Sequence, residues 1–153
     1  MKRISHEKLG KPDLQFACLS IWIYGRENED STDFWDGNWL RVLVHVGSSA
    51  SDVWASGSIL HLSELSSWLG GLRKLHDELA GTAELSCVEP NLGAKVTLDA
   101  LGRGTLIVQI TADHLSEQHT FTTHIDQSYL PDVIRSLQQI LEQYPLRGES
   151  SAR

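Results

Sequence analysis

Between residues 62 and 79 the chain carries Leu65, Trp68, Leu69, Leu72, Leu75 and Leu79 at helical spacing, with runs of strand-like alternation on either side. A helix with one apolar stripe must bury that stripe against another element. The spacing predicts a helix that opens with Ser63 as N-cap and stops before Gly81. Gly70 and Gly71 lie inside it, each costing about 1 kcal/mol relative to Ala unless another backbone comes close. A second stripe, Leu130, Val133, Ile134, Leu137, Leu141 and Tyr144, predicts a helix entered from Asp126, with Pro131 in its first turn and Pro145 at its end.

The strand signals fall in two groups separated by the first helix. Residues 14–24 are apolar on both parities and predict one strand covered on both faces. Leu40, Val42, Val44 and Val46 alternate with Trp39, Arg41, Leu43 and His45, the pattern of a half-buried strand. A weaker strand is predicted over 53–61, where Gly57 marks a bulge or a close approach. Beyond residue 82, four segments (83–88, 94–101, 105–112 and 118–125) are joined by short turn-rich spans and predict a meander of hairpins. The economical arrangement is α+β: a largely antiparallel sheet of about six or seven strands with both amphipathic helices on one face. With 153 residues, no internal repeat and no dividing linker, residues 1–153 are expected to form a single domain. Its core would span about 14–145, with flexible termini.

Hydrophobic residues at 41% and charged residues at 22% match a folded globular chain rather than a disordered one. A net charge of -7 argues against nucleic acid as a partner. No apolar stretch approaches the ~20 residues of a membrane-spanning helix. No apolar run follows the charges of residues 1–8, so no export signal is expected. Cys18 and Cys87 sit in apolar strand-like segments, which suits free thiols in a reducing, cytoplasmic location.

Signatures of chemistry are missing. The seven histidines show no metal-ligand spacing, and His119 and His124, an odd number of positions apart in a strand, point to opposite faces. There is no Gly-x-Ser-x-Gly and no phosphate loop, and Gly102-Arg103-Gly104 reads as a turn. No catalytic residue, metal or cofactor is therefore expected.

The aromatic segment Phe34-Trp35-Asp36-Gly37-Asn38-Trp39-Leu40 has two readings. Trp35 closes a sheet edge while Asp36 and Asn38 bond turn backbone, or Trp39 joins a recognition patch with Trp22, Tyr24, Arg41 and His45. A sheet covered on one side would leave free a face with Trp39, Arg41, His45, Glu84, Lys95, Thr97, Asp99, Gln109, Thr111, Thr120, Thr122 and His124. Glu29, Asp30 and Asp33, in an acidic run from Glu27 to Asp36, would give that face a negative rim suited to a basic partner.

Three segments carry a family likeness: Phe34-Trp35-Asp36-Gly37-Asn38-Trp39-Leu40 leading into a Val-rich strand, the Leu62–Leu79 helix followed by Gly81-Thr82-Ala83-Glu84-Leu85, and Asp126-Gln127-Ser128-Tyr129-Leu130-Pro131 through Tyr144-Pro145. Over residues 14–145 the chain resembles the WapI-type immunity proteins. The resemblance implies a cytoplasmic, non-enzymatic protein that neutralises a cognate toxin domain, commonly a nuclease, by binding it. The contact residues expected are Trp22, Tyr24, Glu29, Asp30, Asp33, Trp39, Arg41, His45 and His124. Two rivals remain: an enzyme with a pocket built from His45, His124 or Asp99, and a carbohydrate- or small-ligand-binding domain that stacks on Trp22 and Trp39. The sequence carries no signal for oligomeric state.

Overall fold

The apolar alternation of residues 40–46 is realised as a strand whose Leu40, Val42, Val44 and Val46 are all buried in one core. In the computed structural model, which describes residues 9–149, that strand belongs to an antiparallel meander of β1 (Leu14–Phe16), β2 (Leu19–Arg26), β3 (Trp39–Gly47) and β4 (Asp52–His61). Helix α1 (Leu62–Glu78) follows directly. A second antiparallel meander comprises β5 (Gly81–Leu85), β6 (Leu92–Leu98), β7 (Arg103–Ile110) and β8 (His119–Asp126). A short 3-10 turn over Gln127–Tyr129 then leads into α2 (Leu130–Gln143).

The α+β class stands, but the single sheet of six or seven strands does not. The described residues form eight strands in two separate four-stranded sheets, ordered β1-β2-β3-β4 and β5-β6-β7-β8. Each meander feeds its own helix, so an architecture of four strands and a helix occurs twice without a visible sequence repeat. The two helices share one burial register: Leu62, Leu65, Leu69 and Leu72 in α1 correspond to Leu130, Val133, Leu137 and Ile140 in α2. These positions, at the first residue and three, seven and ten beyond it, line one side of a helix.

The extra strand arises at Ala17. Its φ of 49° reverses the chain between Phe16 and Leu19, splitting the apolar run into a hairpin in which Leu14 pairs with Ile21. No Gly or Asn marks this turn, which is why the run reads as continuous. Both sheets and both helices contribute to a single apolar core, where Trp68 of α1 stacks on Phe16 of β1 at 6.0 Å.

The α1 cap is His61 rather than Ser63. Its imidazole accepts from the Ser63 N–H at 3.2 Å, while the Glu64 carboxylate accepts from the His61 N–H at 2.8 Å. Asp126 does cap as expected, accepting from the Ser128 N–H at 2.8 Å, although what it caps is the 3-10 turn. Residues 1–8 lie outside the described residues, and so does the expectation placed on them. Among the described residues, no helix is long and apolar enough to cross a membrane.

Candidate functional site

Side chains on a strand alternate, so if the buried residues of β3 face the core, then Arg41, Leu43 and His45 face away from it. The register sets Trp22 opposite Leu43, and Ser20 and Trp54 on either side of His45. Trp22 and Trp54 stack with ring centres 5.9 Å apart, and His45 lies 4.3 Å from the Trp54 ring. Leu43 is only 2% exposed although it points away from the core, on the face that carries this aromatic pair. The Trp22 indole N–H donates to the Gly10 carbonyl at 3.2 Å, and His45 Nε2 lies 2.7 Å from the Asp52 carboxylate. Tyr24, unpaired at the register shift between Ile23 and Gly25, is 59% exposed.

One end of this face meets the acidic loop between β2 and β3. Glu27 accepts from Ser58 Oγ at 2.7 Å and pairs with Arg41 at 3.6 Å, linking the loop to β3 and β4. Asp33 is used inside the loop, its Oδ2 accepting from the N–H groups of Trp35 and Asp36 at 3.0 and 2.9 Å. Glu29, Asp30 and Asp36 make no side-chain hydrogen bond or ion pair among the described residues and line an open recess with Glu27, Asn28 and Ser31.

The loop is braced from beneath by a buried polar cluster. Arg26, 4% exposed, donates to Gly37 O at 2.7 Å, to Asn38 Oδ1 at 3.1 Å and to Pro145 O. Burial, then the nearby Arg147 charge, pushes its guanidinium pKa down, against the pull of Glu29. Arg147 in turn donates to Glu29 O at 2.5 Å and Ser31 O at 3.0 Å. The tail expected to be flexible is therefore tied down at Arg147. Gly37 has no alternative here, since a Cβ would sit 2.6 Å from Ser31 O.

Phe34, Trp35 and Trp39 surround His61 rather than joining the Trp22 patch. Trp35 stacks on the imidazole at 5.0 Å, Trp39 meets it edge-on at 5.0 Å, and Phe34 is tilted at 5.4 Å. Because Nδ1 accepts the Ser63 N–H, Nε2 carries the proton and is shared between the carbonyls of Phe34 and Trp35, each at 3.2 Å. Asn38, fully buried, donates to Phe34 O at 2.6 Å. Most of the Trp-Asp-Gly-Asn-Trp segment is thus architectural, with Trp35 left half exposed over the cage.

The single polar face expected from sequence is divided between the two sheets. Trp22, Arg41 and His45 share the outer face of the first, and Tyr24 is exposed at the bulge in β2. His124 lies on the second, opposite Thr105, and Trp39 turns toward His61. Thr111 is buried, donating to Glu117 O at 3.1 Å, and Asp99 is a turn residue whose Oδ1 accepts from the N–H groups of Leu101 and Arg103. His124 and Asp99 do line one recess, with Arg103, Thr105, Asp126 and Tyr129, but His45 belongs to the other sheet. No group of three or more potential metal ligands is gathered among the described residues. Trp54, Asp52 and Ser58 complete the first sheet's outer face and were invisible in sequence, because their place depends on the β3–β4 register.

The model of the immunity protein WapI-like family matches residues 9–145. No curated protein sequence matches the chain. Among solved structures, a plant transcriptional regulator, PBF-2, superposes with a TM-score of 0.50 at 11% identity, covering 82% of this chain and 75% of that one. At that identity the likeness is one of fold alone.

Proposed function

The chain belongs to the immunity protein WapI-like family, and from that membership we propose that it binds a cognate bacterial toxin domain and neutralises it by occlusion, without catalysis. The match over residues 9–145 is the observation that carries this reading. The docking surface we favour is the outer face of the β1–β4 sheet with the adjoining acidic loop. Trp22 and Tyr24 supply aromatic anchors there, Arg41 and His45 supply polar contacts, and Glu29 and Asp30 supply charge. Aromatic anchors beside a charged rim are the composition of specific protein interfaces. Negative charge on a braced loop suits a basic target, such as a nuclease domain. Asp33 and Trp39 serve this surface indirectly, by shaping the loop, and His124 lies apart from it.

The test is co-expression with a candidate cognate toxin domain. Co-purification and rescue of growth are expected; no complex and no rescue would remove the immunity reading. Given a complex, Glu29→Lys with Asp30→Lys should slow association at low salt far more than it speeds dissociation, and Tyr24→Ala should act mainly on dissociation. Unchanged rates in all of these variants would move the interface to another face. The small-ligand alternative is weakened by the packing, since Trp22 stacks on Trp54 and Trp39 is occupied by His61.

A further inference from the structure

A sheet edge presents unpaired N–H and C=O groups, and folded chains guard such edges. The two sheets have four edges, and three are protected. β1 is only three residues long and packs against α2, and β5 is covered by α1. β4 is distorted by Gly57 at φ 138° and by the register shift opposite Leu40 and Arg41. β8 has none of these devices. Its eight residues, His119-Thr120-Phe121-Thr122-Thr123-His124-Ile125-Asp126, pair with β7 without a shift. They include no Pro, Gly, Lys or Arg, and no described residue pairs with their outer edge.

The backbone direction along β8 follows from two bonds. The Gln127 N–H donates to Gly102 O at 2.8 Å, and the Asp99 N–H donates to Arg103 O at 2.7 Å. Antiparallel pairs alternate between hydrogen-bonded and open. Ile125, Thr123 and Phe121 therefore bond β7, while the amides and carbonyls of Thr120, Thr122, His124 and Asp126 point to the open edge. Phe121 is on the core side with Ile125, yet it is only half buried where Ile125 is 5% exposed.

We propose that β8 is a homodimerisation edge, pairing antiparallel with β8 of a second copy about a two-fold axis at Thr123. This goes beyond the toxin-binding reading and does not rest on it. Opposed residues in an antiparallel pair share a face, so residues of the same parity must meet. The axis at Thr123 sets Thr120 against Asp126, Phe121 against Ile125, and Thr122 against His124. Every edge-facing residue from 120 to 126 then finds an edge-facing partner, two Phe–Ile contacts extend the core side, and no like charges are opposed. Shifting the axis to Thr122 strands Asp126 without a partner and sets Ile125 against His119. A single strand pair buries less than the ~1,600 Å² of a standard interface, so the dimer is expected to be weak and to depend on concentration.

Sedimentation of the full chain up to millimolar concentration tests this. A reversible monomer–dimer equilibrium is expected, with amide exchange slowing at Thr120, Thr122, His124 and Asp126 as dimer forms. Thr120→Glu, facing Asp126 of the other copy, should weaken the dimer roughly two- to thirtyfold, and Thr120→Lys should strengthen it over a similar range. Thr120 is exposed, so neither change touches the core. Thr122→Pro removes an edge donor without removing a bond to β7 and should abolish pairing. A monomer throughout, or a dimer indifferent to the sign of charge at 120, would overturn the proposal.

Discussion

Asn38 and Arg147 clasp each other across the fold: Asn38 Oδ1 accepts the Arg147 N–H at 2.9 Å, and Asn38 Nδ2 donates to Arg147 O at 2.9 Å. The carboxamide stands in for one strand of a backbone pair, so neither polar group of the C-terminal segment is left bare at this point. Asn38→Ala would strip bonds from Phe34 O, Arg147 and Arg26 together. Each buried group left unmet costs about 1–3 kcal/mol, and the losses share one network, so a combined loss of about 3–4 kcal/mol is expected in urea unfolding. Asn38→Asp should not restore stability, since a carboxylate cannot donate to Phe34 O. A loss under about 1 kcal/mol for Asn38→Ala would show that the clasp is dispensable.

His61 closes β4 and opens α1 with one side chain. Replacing it by Ala removes the cap, worth about 1 kcal/mol, together with the ring on which Trp35 stacks, worth about 0.5–1.5 kcal/mol for an aromatic pair. Asn is a good cap but carries no ring. His61→Asn is therefore expected to recover part of the stability lost in His61→Ala, while Trp35 fluorescence in both variants shifts toward that of a solvated indole. Equal stabilities for the Ala and Asn variants would mean that the cap contributes nothing.

The elements legible in the sequence are those whose side chains report their own environment. Leu40 to Val46 alternate because one face of β3 is buried, and the stripes of α1 and α2 appear because one side of each helix is. The division into two sheets was hidden, because alternation says which side of a strand is covered and not which strands share a ladder. Ala17 reverses the chain without a turn residue. His61 caps a helix from outside the usual Ser, Thr, Asp and Asn set. The candidate site was half legible for the same reason. Trp22 and His45 are placed by parity within their strands, whereas Trp54 reaches them through the β3–β4 register, and Arg26 meets Pro145 across 119 residues of chain.

Cys87 should be a poor nucleophile in the folded protein. Burial, reinforced by the nearby Glu64 carboxylate, pushes its thiol up to about 12. At pH 8 only on the order of one such thiol in ten thousand is ionised, against roughly a quarter for an ordinary cysteine near 8.5. Iodoacetamide at pH 8 is expected to leave Cys87 unmodified in the native protein and to label it after denaturation, as peptide mapping would read out. Because burial is the larger cause, Glu64→Gln should speed the native reaction only slightly. Native labelling at the rate of a free thiol would contradict the buried environment.

Asp126 ties the end of β8 to the turn that launches α2, and this gives stability a defined slope in acid. The Ser128 hydroxyl and then the Ser128 N–H donate to its carboxylate and hold its pKa below the usual carboxylate value. With the folded value depressed, the unfolded chain binds the proton more readily. The stabilisation is complete above the unfolded pKa of about 3.9 and is lost as pH falls through the folded value. Asn caps about as well as Asp but does not titrate in this range. In dilute solution, Asp126→Asn and the parent should differ least at the acid end. The advantage of the parent should grow as pH rises through the folded pKa and level off above about 4. Urea midpoints across that range measure the difference. A gap that stayed constant with pH, or that widened in acid, would show that this carboxylate is not held by Ser128.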